Sequence, residues 1–355
     1  MGNPGLELSS KAFAMDVRTV RTQIVSGGRD GLFKARPTIY VVILLSVFVA
    51  SYLYELRTDN IFACQASGYT SDNFLTFCYA RNYGEYEHGA FWFDLEPTAL
   101  MSAASADVLF LGNSRVLFAF STLATAKWLS SVSASYYLLG FFGNENSIFE
   151  RALLHKLKPR AEVYVINLTE FFQPSEAMYA KSVLHDEGAR NRYRVKRLLQ
   201  FVHKPICMSL PKICGHTLVL FQSRQTGMML VTSDLGWFWG RERPVSYDQQ
   251  IDEYEISDAI AIGRIFLSEL SARPECVILT AIPAVGIKLD AANAIARGLG
   301  SKLVIPQSID GLQTLDGEHL DPASAERWSE AFFRTAGPQI QKCLATRPGN
   351  PGQPS

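Results

Sequence analysis

The sequence predicts an α/β protein, a doubly wound parallel sheet with an N-terminal transmembrane helix before it. From Asp107 onward, short apolar runs that end near Gly or Pro alternate with longer helix-like stretches, as in sheets buried on both faces. A single long uncharged segment, 38–54, precedes them. The composition agrees, because 355 residues that are 48% hydrophobic and 19% charged can bury a large core.

The uncharged segment 38–54 would form about 25 Å of helix, enough to cross the apolar part of a bilayer. Arg36 and Pro37 precede it and Glu55 follows, and Tyr52 and Tyr54 would lie at an interface. A buried core helix is the alternative.

The charges around this segment predict its orientation. One basic residue, Arg57, lies in the 20 residues after it, and six precede it: Lys11, Arg18, Arg21, Arg29, Lys34 and Arg36. Positive charge stays on the cytoplasmic side, so we expect the N-terminus inside and the rest outside. The long leading region and the poor cleavage site at 49–51 predict an uncleaved signal anchor.

The domain boundaries follow from composition and pattern. The chain is divided into a cytoplasmic tail (1–37), the signal anchor (38–54), a linker packing on the soluble domain (55–105), an α/β domain (106–345, with an insertion at 173–250) and a disordered tail (346–355). Strands are predicted at 108–111, 135–139, 163–168, 277–281 and 302–305, and helices at about 115–128, 144–158 and 322–344. Asp321-Pro322 is a typical start for the last helix.

The charge balance and the cysteine pattern argue against some classes of function. Lys plus Arg and Asp plus Glu both number 34, which argues against a nucleic-acid partner. The six cysteines contain no CxxC pair and so no metal signature. Outside the cytoplasm, Cys64 with Cys78 and Cys207 with Cys214 could form local disulfides, although sequence does not determine pairing. Cys276 lies in an apolar run and is interpreted as a reduced core residue.

Two loops carry residues suited to catalysis at the carboxyl ends of strands, where functional groups of open parallel sheets gather. Ser114 follows the first strand at a helix start, where backbone N–H groups can stabilise an oxyanion. A helix-capping serine is the alternative.

The second loop precedes the last helix. Asp316 can accept the imidazole N–H of His319, which leaves the other ring nitrogen to take a proton from a serine. Of the six histidines, we select His319 because it follows an Asp by three residues in a loop between a strand and a helix. A structural histidine is the alternative.

Together these segments resemble the SGNH (GDSL-like) hydrolase superfamily, in particular its membrane-anchored branch that handles acyl groups on bacterial polysaccharides. The family's Gly-Asp-Ser block matches Gly112-Asn113-Ser114, with Asn in place of Asp, and its Asp-x-x-His block matches Asp316 to His319. A glycine after the second strand matches Gly143, and the resemblance covers about 107–345.

The family's third block, Gly-x-Asn-Asp, is missing. Asn167 is the nearest amide, while Glu170 occupies the place where the family has an oxyanion-binding Asn. A carboxylate would repel an oxyanion, so the resemblance implies a hole built from the N–H groups of Ser114 and Gly143, with Asn167 as a further candidate.

The resemblance implies a three-layer α/β/α fold and acyl transfer, of acetyl groups above all, onto hydroxyls of a cell-surface or exported polysaccharide. Ser114 would be the nucleophile, His319 the general base and Asp316 its orienting partner, with no cofactor and no metal. The protein would be held in the bacterial inner membrane with a periplasmic domain. Because acyl donors are cytoplasmic, a multi-pass membrane acyltransferase would supply the acyl group. A tethered esterase and a catalytically inactive assembly or binding subunit remain open.

Three further features have two interpretations each. Arg115 could bind an acidic sugar or anchor its own loop. Trp237 and Trp239 could stack on a sugar ring or pack internally. The basic stretch 190–197 is a solvated helix face or one resting near lipid headgroups.

Overall fold

The computed structural model describes residues 37–232, 241–248, 252–307 and 309–346, so most of the expected cytoplasmic tail and nearly all of the expected C-terminal tail lie outside the described residues. In chain order the elements are α1 (Pro37–Asp59), β1 (Asn73–Cys78), β2 (Gly84–Glu85), α2 (Glu87–Trp92), α3 (Pro97–Ser105), β3 (Val108–Asn113), α4 (Ser114–Phe120), α5 (Leu123–Ser131), β4 (Tyr136–Phe141), α6 (Ser147–Leu157), β5 (Val163–Asn167), α7 (Met178–His185), α8 (Ala189–Ser209), β6 (Val219–Ser223), β7 (Met229–Val231), β8 (Arg243–Pro244), α9 (Glu253–Ser268), β9 (Val277–Thr280), α10 (Leu289–Gly298), β10 (Gln313–Thr314) and α11 (Pro322–Ala345).

The chain divides into two units, 1–52 and 53–355. The described part of the first is residues 37–52 of α1, which contain no charged residue and no buried side chain. By length and composition α1 could cross a membrane, as an anchor or a signal sequence. The predicted apolar N-terminal helix is therefore present, and it continues to Asp59.

A four-stranded parallel sheet in the order β4-β3-β5-β9 forms the centre of the second unit. Every residue of these strands is buried, because helices cover both faces. Helices α3, α6, α9 and α10 pack on one face and α4, α5 and α11 on the other. The α/β class with a parallel sheet is as predicted.

A second, antiparallel sheet joins the linker to the insertion. Strand β1 pairs with β2 on one side and with β6 on the other, and β7 extends the sheet. The register places Asn73 opposite Ser223. Side chains of β1 and α2 belong to the same buried cluster as the central sheet, so residues 73–92 pack on the α/β domain.

Two local predictions differ from the structure. The helix expected at 115–128 is two helices, because the Thr122 side chain accepts the Thr125 N–H and starts α5 as an N-cap. The strand expected at 302–305 is reduced to one parallel bridge between Leu303 and Leu279. The last helix begins as predicted, with the Asp321 carboxylate accepting the Ser324 N–H.

Three disulfides link the six cysteines. Cys64–Cys78 and Cys207–Cys214 are the two local pairs considered from sequence. The third, Cys276–Cys343, corrects the expectation that Cys276 is reduced. Its partner lies 67 residues later on α11, which packs on the same face of the sheet, and no sequence spacing indicates that contact.

Candidate active site

Ser114 lies at the first position of α4, directly after β3. Gly112, near the end of β3, has φ +147°, and a Cβ there would come within 2.7 Å of Val116. The Asn113 side chain accepts the Arg115 N–H as the helix N-cap. An Asp at 113 could cap in the same way, so Asn at this position keeps that local role.

His319 and Asp316 lie in the loop between β10 and α11. Asp316 Oδ1 accepts the backbone N–H groups of Glu318 and His319, each at 3.0 Å. The loop turns at Gly317, where φ is +97°. The His319 ring packs on Phe118 of α4, with ring centroids 4.2 Å apart. These contacts hold the imidazole over the start of α4.

A chain of hydrogen bonds joins the two loops. Ser114 Oγ lies 2.8 Å from His319 Nε2, and His319 Nδ1 lies 2.9 Å from Asp316 Oδ2. The Asp316 carboxylate must accept, so Nδ1 carries the proton and Nε2 accepts the Ser114 hydroxyl. The tautomer is the one in which His319 can remove the serine proton.

The environment of Asp316 keeps it ionised. Partial burial raises its pKa, but hydrogen bonds from the His319 ring and from two backbone N–H groups outweigh burial and lower the pKa to about 2. At neutral pH Asp316 is therefore a carboxylate that holds the ring by its Nδ1–H.

Arg115 links the same two loops on the cleft side. Its guanidinium forms an ion pair with Glu318 and lies 3.5 Å from Glu170, whose φ is +58°. The side chain is 6% exposed, and its Nη1 has no hydrogen-bond partner among the described residues. The loop-anchoring interpretation of Arg115 matches these contacts, and they also turn Glu170 toward the guanidinium.

The oxyanion-hole candidates differ in placement. Gly143, two residues past β4, lines the cleft with φ +79°, and a Cβ there would come within 2.6 Å of the Tyr179 ring. The Asn167 side chain is buried, and its Oδ1 accepts the Ile282 N–H at 3.1 Å. Asn167 therefore ties β5 to the segment after β9, while its buried Nδ2 has no hydrogen-bond partner among the described residues.

A cleft of about 750 Å³ opens beside Gly143 and Arg115. Segments 168–178 and 285–295 and the start of α9 form most of its wall. Among the described residues that line it, two are basic, Arg115 and Lys288, and six are acidic: Glu170, Glu176, Asp252, Glu255, Asp258 and Glu318. The cleft is therefore suited to a neutral or cationic ligand better than to an anionic one. Trp237 and Trp239, the proposed sugar platform, lie outside the described residues.

A buried charged cluster behind the Gly143 loop was missed in the sequence. Glu85 precedes His88 by three residues, the same spacing as Asp316 and His319, and the His88 ring lies 3.1 Å from Glu85 Oε1 and 2.8 Å from Glu145 Oε2. Burial opposes charge on His88, but the two carboxylates raise its pKa to about 10. Because both ring nitrogens bond carboxylates, His88 is structural. The Glu-x-x-His spacing in the sequence could have indicated the pairing of Glu85 with His88.

This cluster fixes the loop that carries Gly143. Glu87 Oε1 accepts the Phe142 N–H at 2.5 Å, and Glu145 Oε1 accepts the Asn146 N–H at 2.9 Å. On the other side of the site, Glu150 Oε1 accepts the Gly112 N–H at 2.8 Å. The segments that carry Gly112 and Gly143 are thus held by the buried carboxyl groups of α2, of α6 and of Glu145 before α6.

Glu87 predicts a pH dependence of stability. Burial raises its pKa to about 8 despite the nearby His88, so the folded state keeps a proton that the unfolded state loses above about pH 4.5. We expect the free energy of unfolding to fall between pH 5 and 6.5, by up to about 1.4 kcal/mol per pH unit. The buried Glu150, whose pKa burial also raises, adds to the same fall, and His88 adds to it toward pH 6.5, where the unfolded imidazole begins to lose its proton.

The measurement is denaturant unfolding at pH 5, 5.75 and 6.5 for the wild type and Glu87→Gln. The amide keeps the acceptor for the Phe142 N–H and does not titrate, so the slope should flatten. An unchanged slope would mean that Glu87 is ionised in the folded protein.

Among the described residues, one group of His and Cys side chains lies close enough together to suggest a metal site. His203, Cys207 and Cys214 lie close together, but the two sulfurs are joined as a disulfide. Burial lowers the pKa of His203 to about 4, and its Nε2–H donates to the Cys64 carbonyl at 3.0 Å. This group is a structural link rather than a ligand set.

The fold and site define an α/β protein in which Ser, His and Asp from two loops form a hydrogen-bonded triad beside an acidic cleft. Comparisons with protein-family models, with curated proteins and with solved structures find no match.

Proposed function

We propose that this protein is a membrane-anchored serine acyltransferase of the SGNH-hydrolase type, which places acyl groups, in the first instance acetyl, on hydroxyls of a bacterial cell-surface or exported polysaccharide. The observation that carries the proposal is the Ser114–His319–Asp316 chain, with hydrogen bonds of 2.8 and 2.9 Å. The strand order and the helices on both sheet faces are compatible with the three-layer fold of that superfamily.

The triad supports a two-step transfer. Ser114 Oγ attacks the acyl carbonyl while its proton passes to His319 Nε2, and the backbone N–H groups of Ser114 and Gly143 stabilise the oxyanion. His319 protonates the leaving group, which departs and leaves a serine ester. The acceptor hydroxyl then gives its proton to His319 and attacks that ester, which regenerates Ser114. Asp316 holds the ring and stabilises its protonated form.

Three observations support an extracytoplasmic location. Helix α1 is apolar, its preceding residues are rich in Lys and Arg, and all six cysteines form disulfides. Disulfides persist in oxidising compartments and are rare in the cytosol. We therefore propose that the N-terminus lies on the cytoplasmic side of the bacterial inner membrane and the α/β domain in the periplasm.

The cleft charge supports an acceptor that carries no negative charge. Six carboxylates against two cations would repel an anionic polymer at neutral pH. The acceptor is then a neutral or amino-bearing glycan, and the acidic-sugar interpretation of Arg115 has little support. Because one span cannot move an acyl group across the membrane, a multi-pass acyltransferase partner supplies it.

The test is labelling of the full chain in detergent with a fluorophosphonate probe, located by mass spectrometry. We expect one adduct at Ser114, and we expect His319→Ala to reduce labelling by about a thousandfold because the base is lost. Ser131→Ala is the control, since Ser131 is an exposed serine at the end of α5.

The same experiment separates the alternatives. Labelling of Ser114, together with hydrolysis of an ester substrate whose acyl group is not transferred to added glycans, would favour an esterase. Folded protein without an adduct at Ser114 would refute the activated nucleophile and favour a binding or assembly subunit.

A further inference from the structure

Helix α8 presents an apolar face to the outside of the protein. From Val195 to Ile213 the exposed residues are apolar, apart from Arg197, Ser209 and Lys212. Leu198 is 63% and Phe201 78% exposed, and the other apolar members are Val195, Val202, Pro205, Met208, Leu210, Pro211 and Ile213. A solvated surface helix has polar residues on this side, so this apolar face of α8 needs an apolar partner.

The segment that carries the apolar face is strongly basic. Residues 188–214 contain seven Lys and Arg residues and no Asp or Glu. Arg194 and Arg197 are exposed and form no ion pair within the described chain. An apolar face bordered by unpaired cations is complementary to an anionic lipid surface.

The opposite side of α8 is fixed to the domain. Tyr193 donates to the buried Glu85 at 2.6 Å, and Gln200 bonds both backbone groups of Leu75 in β1. The Cys207–Cys214 disulfide holds the turn after the helix, which continues the apolar face. The face is therefore part of a rigid surface.

Residues 60–64, which directly follow α1, pack against α8. The Phe62 ring packs on His203, with centroids 5.4 Å apart, and the Cys64 carbonyl accepts the His203 Nε2–H. Asp59 ends α1, and three residues reach at most about 10 Å, so the C-terminal half of α8 lies close to the chain that leaves α1.

We propose that α8 lies on the bilayer into which α1 is inserted, with its apolar face at the boundary between headgroups and acyl chains and its Arg residues against anionic headgroups. The proposal rests on α1 being a membrane anchor. A domain attached at both α1 and α8 has a fixed orientation above the membrane.

The test uses the full chain in nanodiscs of phosphatidylglycerol and phosphatidylcholine. All six native cysteines are in disulfides, so Leu198→Cys, Phe201→Cys and a control can each carry one spin label. The control is Leu123→Cys, because Leu123 is 58% exposed and its helix packs on the other face of the sheet.

The readout is the ratio of collision with oxygen, which concentrates in lipid, to collision with a water-soluble nickel chelate. We expect this ratio to be at least about fivefold higher at 198 and 201 than at 123. We also expect Arg194→Glu with Arg197→Glu to reduce the ratio at 201 by about twofold or more.

Three results would overturn the proposal. Equal ratios at 201 and 123 would place α8 in water. Shielding of 201 from both reagents would indicate a protein partner on this face instead. Failure of the chain to enter nanodiscs would refute the anchor itself, whereas either of the first two results leaves the anchor and the triad untouched.

Discussion

Replacing Asp316 with Asn is expected to lower kcat for an activated aryl acetate by about 10⁴-fold, with KM changed by less than about threefold. An amide in place of the carboxylate favours the imidazole tautomer whose proton is on Nε2, which no longer accepts the Ser114 hydroxyl. KM should change little because Asp316 contacts His319 and the backbone of its own loop, and Asn has nearly the same size. Steady-state kinetics of the purified full chain provides both values.

Asp321→Asn is the matched control for this prediction. The substitution is the same and lies five residues later, but Asp321 caps α11, where Asn is an equally good cap. We expect kcat within about twofold of the wild type. A similar loss in both variants would indicate that the loop, rather than the histidine tautomer, is disturbed.

Removal of the Cys276–Cys343 disulfide is the second large expected effect. It closes 67 residues, and chain entropy predicts a loss of about 4 kcal/mol in the free energy of unfolding for Cys276→Ala with Cys343→Ala. The buried Trp328 lies in the same apolar cluster and reports unfolding by its fluorescence. Chemical denaturation without reductant measures the difference.

The comparison is Cys207→Ala with Cys214→Ala, which opens a loop of seven residues and should cost about 2 kcal/mol. Equal losses in the two double variants would show that loop entropy does not determine what these disulfides contribute. A larger loss for the short loop would point to the packing of α8 on the linker.

Patterns within a few residues account for the parts of the fold that the sequence predicted. The central strands are continuous apolar runs, and Asp321-Pro322 starts α11 through its own side chain. Ser114 and His319 lie 205 residues apart, yet both were found because each follows a strand or precedes a helix at the same sheet edge.

The features of the fold that the sequence did not predict depend on contacts between distant segments. The pairing of β1 with β6 and of Cys276 with Cys343 is determined by tertiary packing, which no local pattern contains. Two omissions were local: the Thr122 cap that divides α4 from α5, and the acidic residue three positions before His88. The burial that makes His88 structural is again a tertiary property.

The pairing of β1 with β6 also means that this sheet cannot form until long after β1 has been synthesised. Cys78 pairs with Val219, so β1 leaves the ribosome about 140 residues before its main partner. At about 5–20 residues per second this interval is about 7–30 s. Throughout that time an apolar strand with Phe74, Leu75 and Phe77 has a free edge that can pair with other chains. We therefore expect the newly made chain to need chaperones until β6 has been synthesised.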